Sequence, residues 1–296
     1  MKNSAYEQGS NTLVALMEDP ILVSALNSFK AIPERKFFLF CPPSYDKFVG
    51  TDEATTCVCL VIHHKQIRMT SVAHMDSPNI VDMGLSQMSS CVIGHNLDAE
   101  LDVHLVGGFE DVSPNLSVLN FLCNILTLAL DHKARHENFH VQNLSVLGHN
   151  TRRDSKGNAY PIFNASSGLV TLACFDRTSR CPDEIVRRIQ VTASYEDPSW
   201  SGRLLETYDT QTDQFRIASC CWSFCQQYIS WTLQSLSNFE ILLRCSTSPS
   251  AEAPDFVYNL RRYIFVFIVH FLIWRETFPR KQPRVFKRAG MEIFII

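Results

Sequence analysis

The chain has 296 residues, enough for one large domain or two small ones, and its 46% hydrophobic and 19% charged residues are ordinary globular composition. With only 11 Gly and 13 Pro it is no collagen or low-complexity scaffold, and its apolar content excludes a disordered chain. Lys and Arg number 27 against 30 Asp and Glu, a formal charge of −3, so there is no basic excess to neutralise phosphates and nucleic acid is not the expected partner.

The opening MKNSAYEQGSN lacks the apolar core of a signal peptide, and eleven cysteines, an odd number, then read as thiols in a reducing compartment. The expectation is a soluble protein of the cytoplasm or nucleus, in which the sequons at Asn115, Asn143 and Asn164 carry no weight. Residues 12–31 place Leu13, Leu16, Met17, Ile21, Leu22 and Leu26 at near-helical spacing, with Pro20 splitting the run into two short helices. FCPPSYD (40–46) is a breaker. VCLVIHH (58–64) and RMTSVAH (68–74) follow as a β-hairpin, and LDVHLV (101–106) is a further strand ended by Gly107-Gly108.

LSVLNFLCNILTLAL (116–130) reads as a buried helix, and VQNLSVL (141–147) and LVTLACF (169–175) as strands. PDEIVRRIQ (182–190) opens with Pro and two acids, a helix N-terminus. RLLETYD (203–209) and QFRIASC (214–220) bracket TQTD as a second hairpin, with Cys220, Cys221 and Cys225 read as core residues. SLSNFEILLRC (235–245) and APDFVYNLRRY (253–263) are amphipathic helices, and YIFVFIVHFLIW (263–274), at 12 residues, is a buried helix, because a membrane span needs about 20. Strand runs with flanking helices predict an α+β fold. Residues 1–36 form an N-terminal helical region and 37–296 the main domain, the two read as one continuous domain.

The informative segment is GTDEATTCVCLVIHHKQIRMTSVAHMDSP (50–78). If its two strands pair across a turn centred between Lys65 and Gln66, Cys57 lies directly opposite His74 on one face, with Cα atoms roughly 4.5–5.5 Å apart. An imidazole beside a thiol stabilises the thiolate, the nucleophilic form. Thr51, six residues before Cys57, is placed to orient the far nitrogen of His74 and fix its tautomer. In the same register Cys59 faces Val72, has no base and should be inert. The spacing alone fits equally a core cysteine facing a histidine on any hairpin.

GTDEATTC (50–57), SVAHMD (71–76), LDVHLVGG (101–108) and STSPSAEAPDFV (246–257) closely resemble the protein N-terminal asparagine amidohydrolases, the plant form in particular, as do FNASSG, FDRTSRCPDEIVRRI, YDTQTDQFRIASC and FPRKQPRVF. The resemblance covers roughly residues 12–112, 137–262 and 277–288. It implies that Cys57, the cysteine of the TTC motif, is the nucleophile. The Cys-x16-His spacing is also similar to that of the bacterial chemoreceptor glutamine deamidases, whose Cys-His-Thr triad maps onto Cys57, His74 and Thr51. An α-β-β-α sandwich around a hairpin-borne cysteine is the implied fold, incomplete where segments are missing. No cofactor or metal is implied.

The implied reaction turns an N-terminal Asn into Asp, releasing ammonia through a Cys57 thioester and feeding the N-degron route to ubiquitin-dependent turnover. The expected partners are proteins or peptides beginning with Asn, with no nucleic acid or membrane, and the chain is expected to be a monomer. Selecting a chain terminus requires a group to hold the α-amino cation, and Asp76, two residues past His74, and Glu53 are the candidates, with Asp52 also just before Cys57 and Glu252 in a loop (246–252) that the sequence alone does not place. Two alternatives stay open: a degenerate, non-catalytic paralogue, and a cysteine deamidase acting on Gln. The first draws on departures from the family pattern, namely an opening without the usual apolar strand, shortened links at 37–48 and 163–170, apolar stretches at 113–135 and 263–276, and a divergent end at 288–296. HENFH (136–140) formally matches H-E-x-x-H, but it runs straight into a strand, so the two histidines should not share a helical face and no zinc site is expected.

Overall fold

The computed structural model describes residues 37–41, 57–93, 98–110, 123–130, 138–157, 159–161, 183–194, 197–200, 202–206, 208–209, 212, 214–221, 233–246, 249, 252, 254–272, 277–289 and 292–295. The chain divides into two compact units, Pro33–Cys220 with Arg275–Ile296, and Met1–Ile32 with Cys221–Trp274. The expected helical region at 1–36 and the strand at 169–175 lie outside the described residues.

The larger unit is a mixed α/β structure. Its strands are β1 (Phe37–Cys41), β2 (Val58–His64), β3 (Thr70–Met75), β4 (Leu101–Gly107), β5 (Phe139–Val146), β6 (Thr151–Arg153), β7 (Ala159–Pro161), β8 (Leu205–Glu206), β9 (Tyr208–Asp209), β10 (Gln214–Ile217), β11 (Arg284–Ala289) and β12 (Glu292–Ile295). A six-stranded sheet runs β5-β4-β2-β3-β1-β8, a four-stranded sheet β12-β11-β10-β9, and β6 pairs with β7. In the large sheet β2 pairs antiparallel with both β3 and β4, and β1 pairs antiparallel with β3. The β4–β5 and β1–β8 pairs are parallel.

Alternation along β2 separates two faces. Val58, Leu60 and Ile62 are fully buried, as are their partners Met75, Ala73 and Ser71. Helix α1 (Val81–Ile93) covers this face with Val81, Leu85, Met88 and Val92. Gly84 lies 3.5 Å, measured from where its Cβ would be, from the Met75 methyl. Each Leu or Ile so buried contributes about 1.5–3 kcal/mol relative to exposure. Gln87 of α1 accepts the Leu204 N–H at 2.9 Å and donates to the Leu204 carbonyl at 3.4 Å, which holds the approach to β8. The opposite face carries Cys59, Val61 and His63 of β2, Thr70, Val72 and His74 of β3, and Asp102, His104 and Val106 of β4.

Several expectations change. FFLFC (37–41) is a strand beside β3, although the sequence offers a breaker from Phe40 onward; the pairing to β3 overrides it. Helix α1 stands between two strands, and Val81, Leu85, Met88 and Val92 repeat at helical spacing behind Ser77 and Pro78. The 203–209 run does not act as one strand. Tyr208–Asp209 forms the expected hairpin with β10, whereas Leu205–Glu206 joins the other sheet parallel to β1. At the C-terminal end β11 and β12 pair as a further antiparallel hairpin. Helix α2 (Glu184–Ser194) follows the expected start, and residues 123–130 are helical with Cys123, Leu126 and Leu130 buried.

The smaller unit contains α3 (Asn238–Cys245) and α4 (Phe256–Leu272). Ser237 and Glu240 form a reciprocal capping box at the start of α3. The two runs read separately at 253–263 and 263–274 make the single 17-residue α4, because nothing in VYNLRRYIF breaks a helix. Tyr263 and Ile264 are buried but Phe265 is exposed, so the helix is not buried all round. No helix among the described residues is long and apolar enough to cross a membrane.

Candidate active site

The hairpin of β2 and β3 carries the site, and its turn sets which residues meet. Partners run Val58↔Met75, Cys59↔His74 and Leu60↔Ala73, so Cys59, not Cys57, lies directly opposite His74. The expected two-residue turn at Lys65-Gln66 fails because such turns need positive φ at their central residues, which Gly and Asn supply and Lys and Gln do not. A four-residue loop forms instead. His64 N–H donates to the Met69 carbonyl and Arg68 N–H to the His64 carbonyl, both at 2.8 Å, with Arg68 at φ 58. The buried His64 ring supplies the turn chemistry, its Nδ1 accepting from Gln66 N–H at 3.2 Å and Ile67 N–H at 3.5 Å. The ladder moves by two residues, and a two-residue shift keeps each side chain on its face. Cys57 therefore lies one residue before the ladder, which opens at Val58, and is not itself opposite His74.

Cys57 is buried at 4% exposure. The end of β4 grips its backbone: Gly108 N–H donates to the Cys57 carbonyl at 2.9 Å, and Gly107, at φ 128, passes so close that a Cβ there would fall 2.4 Å from that oxygen. Gly107-Gly108 thus serves a close backbone approach to Cys57. Cys59 sits between His74 and Val106 in mid-sheet. Part of the residue still meets solvent, yet burial pushes its thiol up to about 12. Facing an imidazole does not activate it.

His74 is fully buried between β2 and β1, where it also pairs with Phe37 in the backbone register. β3 ends at Met75, so Asp76 lies one residue past the strand rather than within it. Asp76 is half-buried, with one carboxylate oxygen out of solvent. Deeper on the same face, burial lowers the pKa of His63 and of His104, an effect that neighbouring Asp102 opposes in both. Each group therefore takes up its proton at lower pH in the fold than in the unfolded chain, where it titrates near 6.5. The unfolded state then binds more protons below that pH, so this part of the stability is complete above about 6.5 and is lost as pH falls further. The urea midpoint is expected to be lower at pH 5.5 than at pH 7.5, and His104→Asn to flatten that dependence.

Thr51, Glu53 and Asp52 lie outside the described residues. Glu252 belongs to the smaller unit, where it accepts a hydrogen bond from Ser246 Oγ at 2.6 Å. His140 is the second residue of β5 and is exposed, as expected of a motif running into a strand, while His136 lies outside the described residues. Among the described residues no group of three or more His, Cys, Asp or Glu is placed to hold a metal ion. Cys221 is exposed and Cys220 half-buried, so these two are not core residues; Cys225 lies outside the described residues.

The sequence model for protein N-terminal asparagine amidohydrolase matches residues 38–293. The chain belongs to that family. The protein N-terminal asparagine amidohydrolase of Arabidopsis thaliana is 46% identical over 325 aligned positions, covering 97% of this chain and 92% of that protein, which bears out the resemblance to the plant form. The proteins of the same name from Mus musculus and Homo sapiens are 31% and 29% identical, each over 72% of this chain and 66% of their own length. The family match opens in β1 and closes in β12, so the large sheet, the cysteine hairpin and the C-terminal hairpin all lie within the family's extent. The alignment to the Arabidopsis amidohydrolase is longer than this chain, so that relative carries segments this one lacks, in keeping with the shortened links.

Proposed function

We propose that the protein hydrolyses the side-chain amide of an N-terminal asparagine, with Cys57 as the nucleophile. The observation that carries this reading is the 46% identity over nearly the whole chain to an enzyme named for that reaction. The hairpin supports it by setting Cys57 one residue before the strand that pairs with the strand of His74.

The Cys57 thiolate attacks the side-chain carbonyl carbon of the substrate Asn. Backbone N–H groups near Cys57 hold the tetrahedral oxyanion. His74, as imidazolium, protonates the departing ammonia and leaves a thioester, then as imidazole activates the water that hydrolyses it to Asp. Thr51 orients the far nitrogen of His74. Asp76 holds the substrate α-amino cation, with Glu53 as the second candidate; the half-buried position of Asp76 at the end of β3 suits a carboxylate that must meet a cation away from bulk water. The scaffold in this reading is an α-β-β-α sandwich around the hairpin. Proteins and peptides beginning with Asn are the substrates, the protein works as a monomer in the cytoplasm or nucleus, and its product enters the N-degron route.

Purified protein incubated with Asn-, Gln- and acetyl-Asn-peptides is expected to release ammonia from the first alone. Turnover of acetyl-Asn would overturn the requirement for a free amino group, and turnover of Gln would favour the broader deamidase. The segments present in the Arabidopsis relative and missing here favour one second reading, a degenerate paralogue. A folded protein inert toward all three peptides would establish it.

A further inference from the structure

The Cys57 backbone is fixed from outside its own hairpin. Its carbonyl accepts from Gly108, and the Gly108 carbonyl in turn accepts Leu147 N–H at 3.1 Å and Asn150 Nδ2 at 3.0 Å. Asn150 is fully buried at the end of the short 3-10 turn Leu147–Asn150. Thr151 extends the clamp, its Oγ1 donating to the Leu147 carbonyl and accepting Glu110 N–H, each at 2.7 Å. Consecutive glycines at 107 and 108, both at positive φ, carry no side chain with which to hold themselves in place. Whatever orders that backbone also orders the oxygen it binds.

We propose that Asn150, with Thr151 beside it, is a positioning residue for Cys57. Through Gly108 it sets where the cysteine backbone sits, and hence where Sγ points, without touching the reacting atoms. The inference rests on the reading of Cys57 as nucleophile. Misplacement of an attacking group by about 1 Å can lower a rate roughly a hundredfold, and a lost anchor one hydrogen bond away acts in that direction.

The test uses the full chain and an Asn-initiated peptide, with Asn150→Ala, Asn150→Asp, Thr151→Val, Thr151→Ser and Cys57→Ala. In the Asn150 variants kcat is expected to fall about tenfold to a hundredfold while KM stays within about threefold. The rate of Cys57 alkylation by iodoacetamide, read by mass spectrometry, should change with kcat. Thr151→Val should lower kcat, and Thr151→Ser, which keeps the hydroxyl, should restore it. Folded Asn150 variants with unchanged kcat and alkylation would overturn the inference, as would a loss that only tracks the unfolded fraction. If the Asn150 variants do not fold, equal kcat in the Thr151 pair overturns it. Activity retained in Cys57→Ala removes the underlying reading instead; failure of the present inference alone leaves Cys57→Ala inactive and the Asn150 variants active.

Discussion

Cys57→Ala is expected to reduce ammonia release from an Asn-peptide by about four orders of magnitude or more, while Cys59→Ala stays within about threefold of the parent. The contrast is sharp because the hairpin register sets the other cysteine against the histidine. Cys59 is the thiol directly across from His74. Burial pushes its thiol up to about 12, which keeps Cys59 in the non-nucleophilic thiol form at neutral pH. Its backbone is paired on both sides, to His74 of β3 and Val106 of β4. Cys57 stands just before the ladder and its backbone is pinned by Gly108. In the proposed mechanism the imidazole of His74 serves it from the neighbouring strand, a diagonal relation that an aromatic side chain can span. Ammonia assays on the two variants decide the matter: activity lost with Cys59 and kept without Cys57 would reverse the assignment.

Gly107→Ala is expected to lower unfolding free energy by roughly 2–5 kcal/mol and to abolish most activity. Two effects add at this position. The backbone sits at φ 128, a region that L side chains rarely adopt, and the new Cβ would lie 2.4 Å from the Cys57 carbonyl oxygen and 3.1 Å from Val58 Cα. Both near neighbours are backbone, so no flexible side chain can move aside. Either β4 withdraws from β2, or Cys57 shifts. The activity loss should therefore exceed the loss of folded protein when both are measured on the same sample, by urea titration and ammonia release. A variant with parent stability and parent activity would mean that the β4 end does not govern Cys57.

What could be read in advance divides along physical lines. Strands β2 and β4 were legible almost to the residue, because their β-branched runs alternate against a buried face. That Cys59 and His74 share a face was legible for the same reason, since a period of two survives any even shift in register. The turn was not. Its defining contact is a histidine ring accepting two backbone N–H groups, a role for which Lys65-Gln66 and their neighbours give no compositional sign. Strand β1 was hidden because a proline-rich segment follows it at once, and pairing with β3 decides its state. Asn150 had no local signal, being one polar residue in LGHNT that acts on a backbone 42 positions away.

Length, composition and charge left a near-neutral globular chain of 296 residues with eleven cysteines, and the quoted motifs singled out one of them and named its family. Those are properties of residue type and spacing, which a one-dimensional string carries in full. Tertiary structure decided which thiol faces the histidine, which is silenced by burial, and what holds the other in place. Each of these depends on contacts between segments far apart in the chain, through turn closure, desolvation and a backbone clamp from a distant 3-10 turn, and none of them leaves a periodic trace in the sequence.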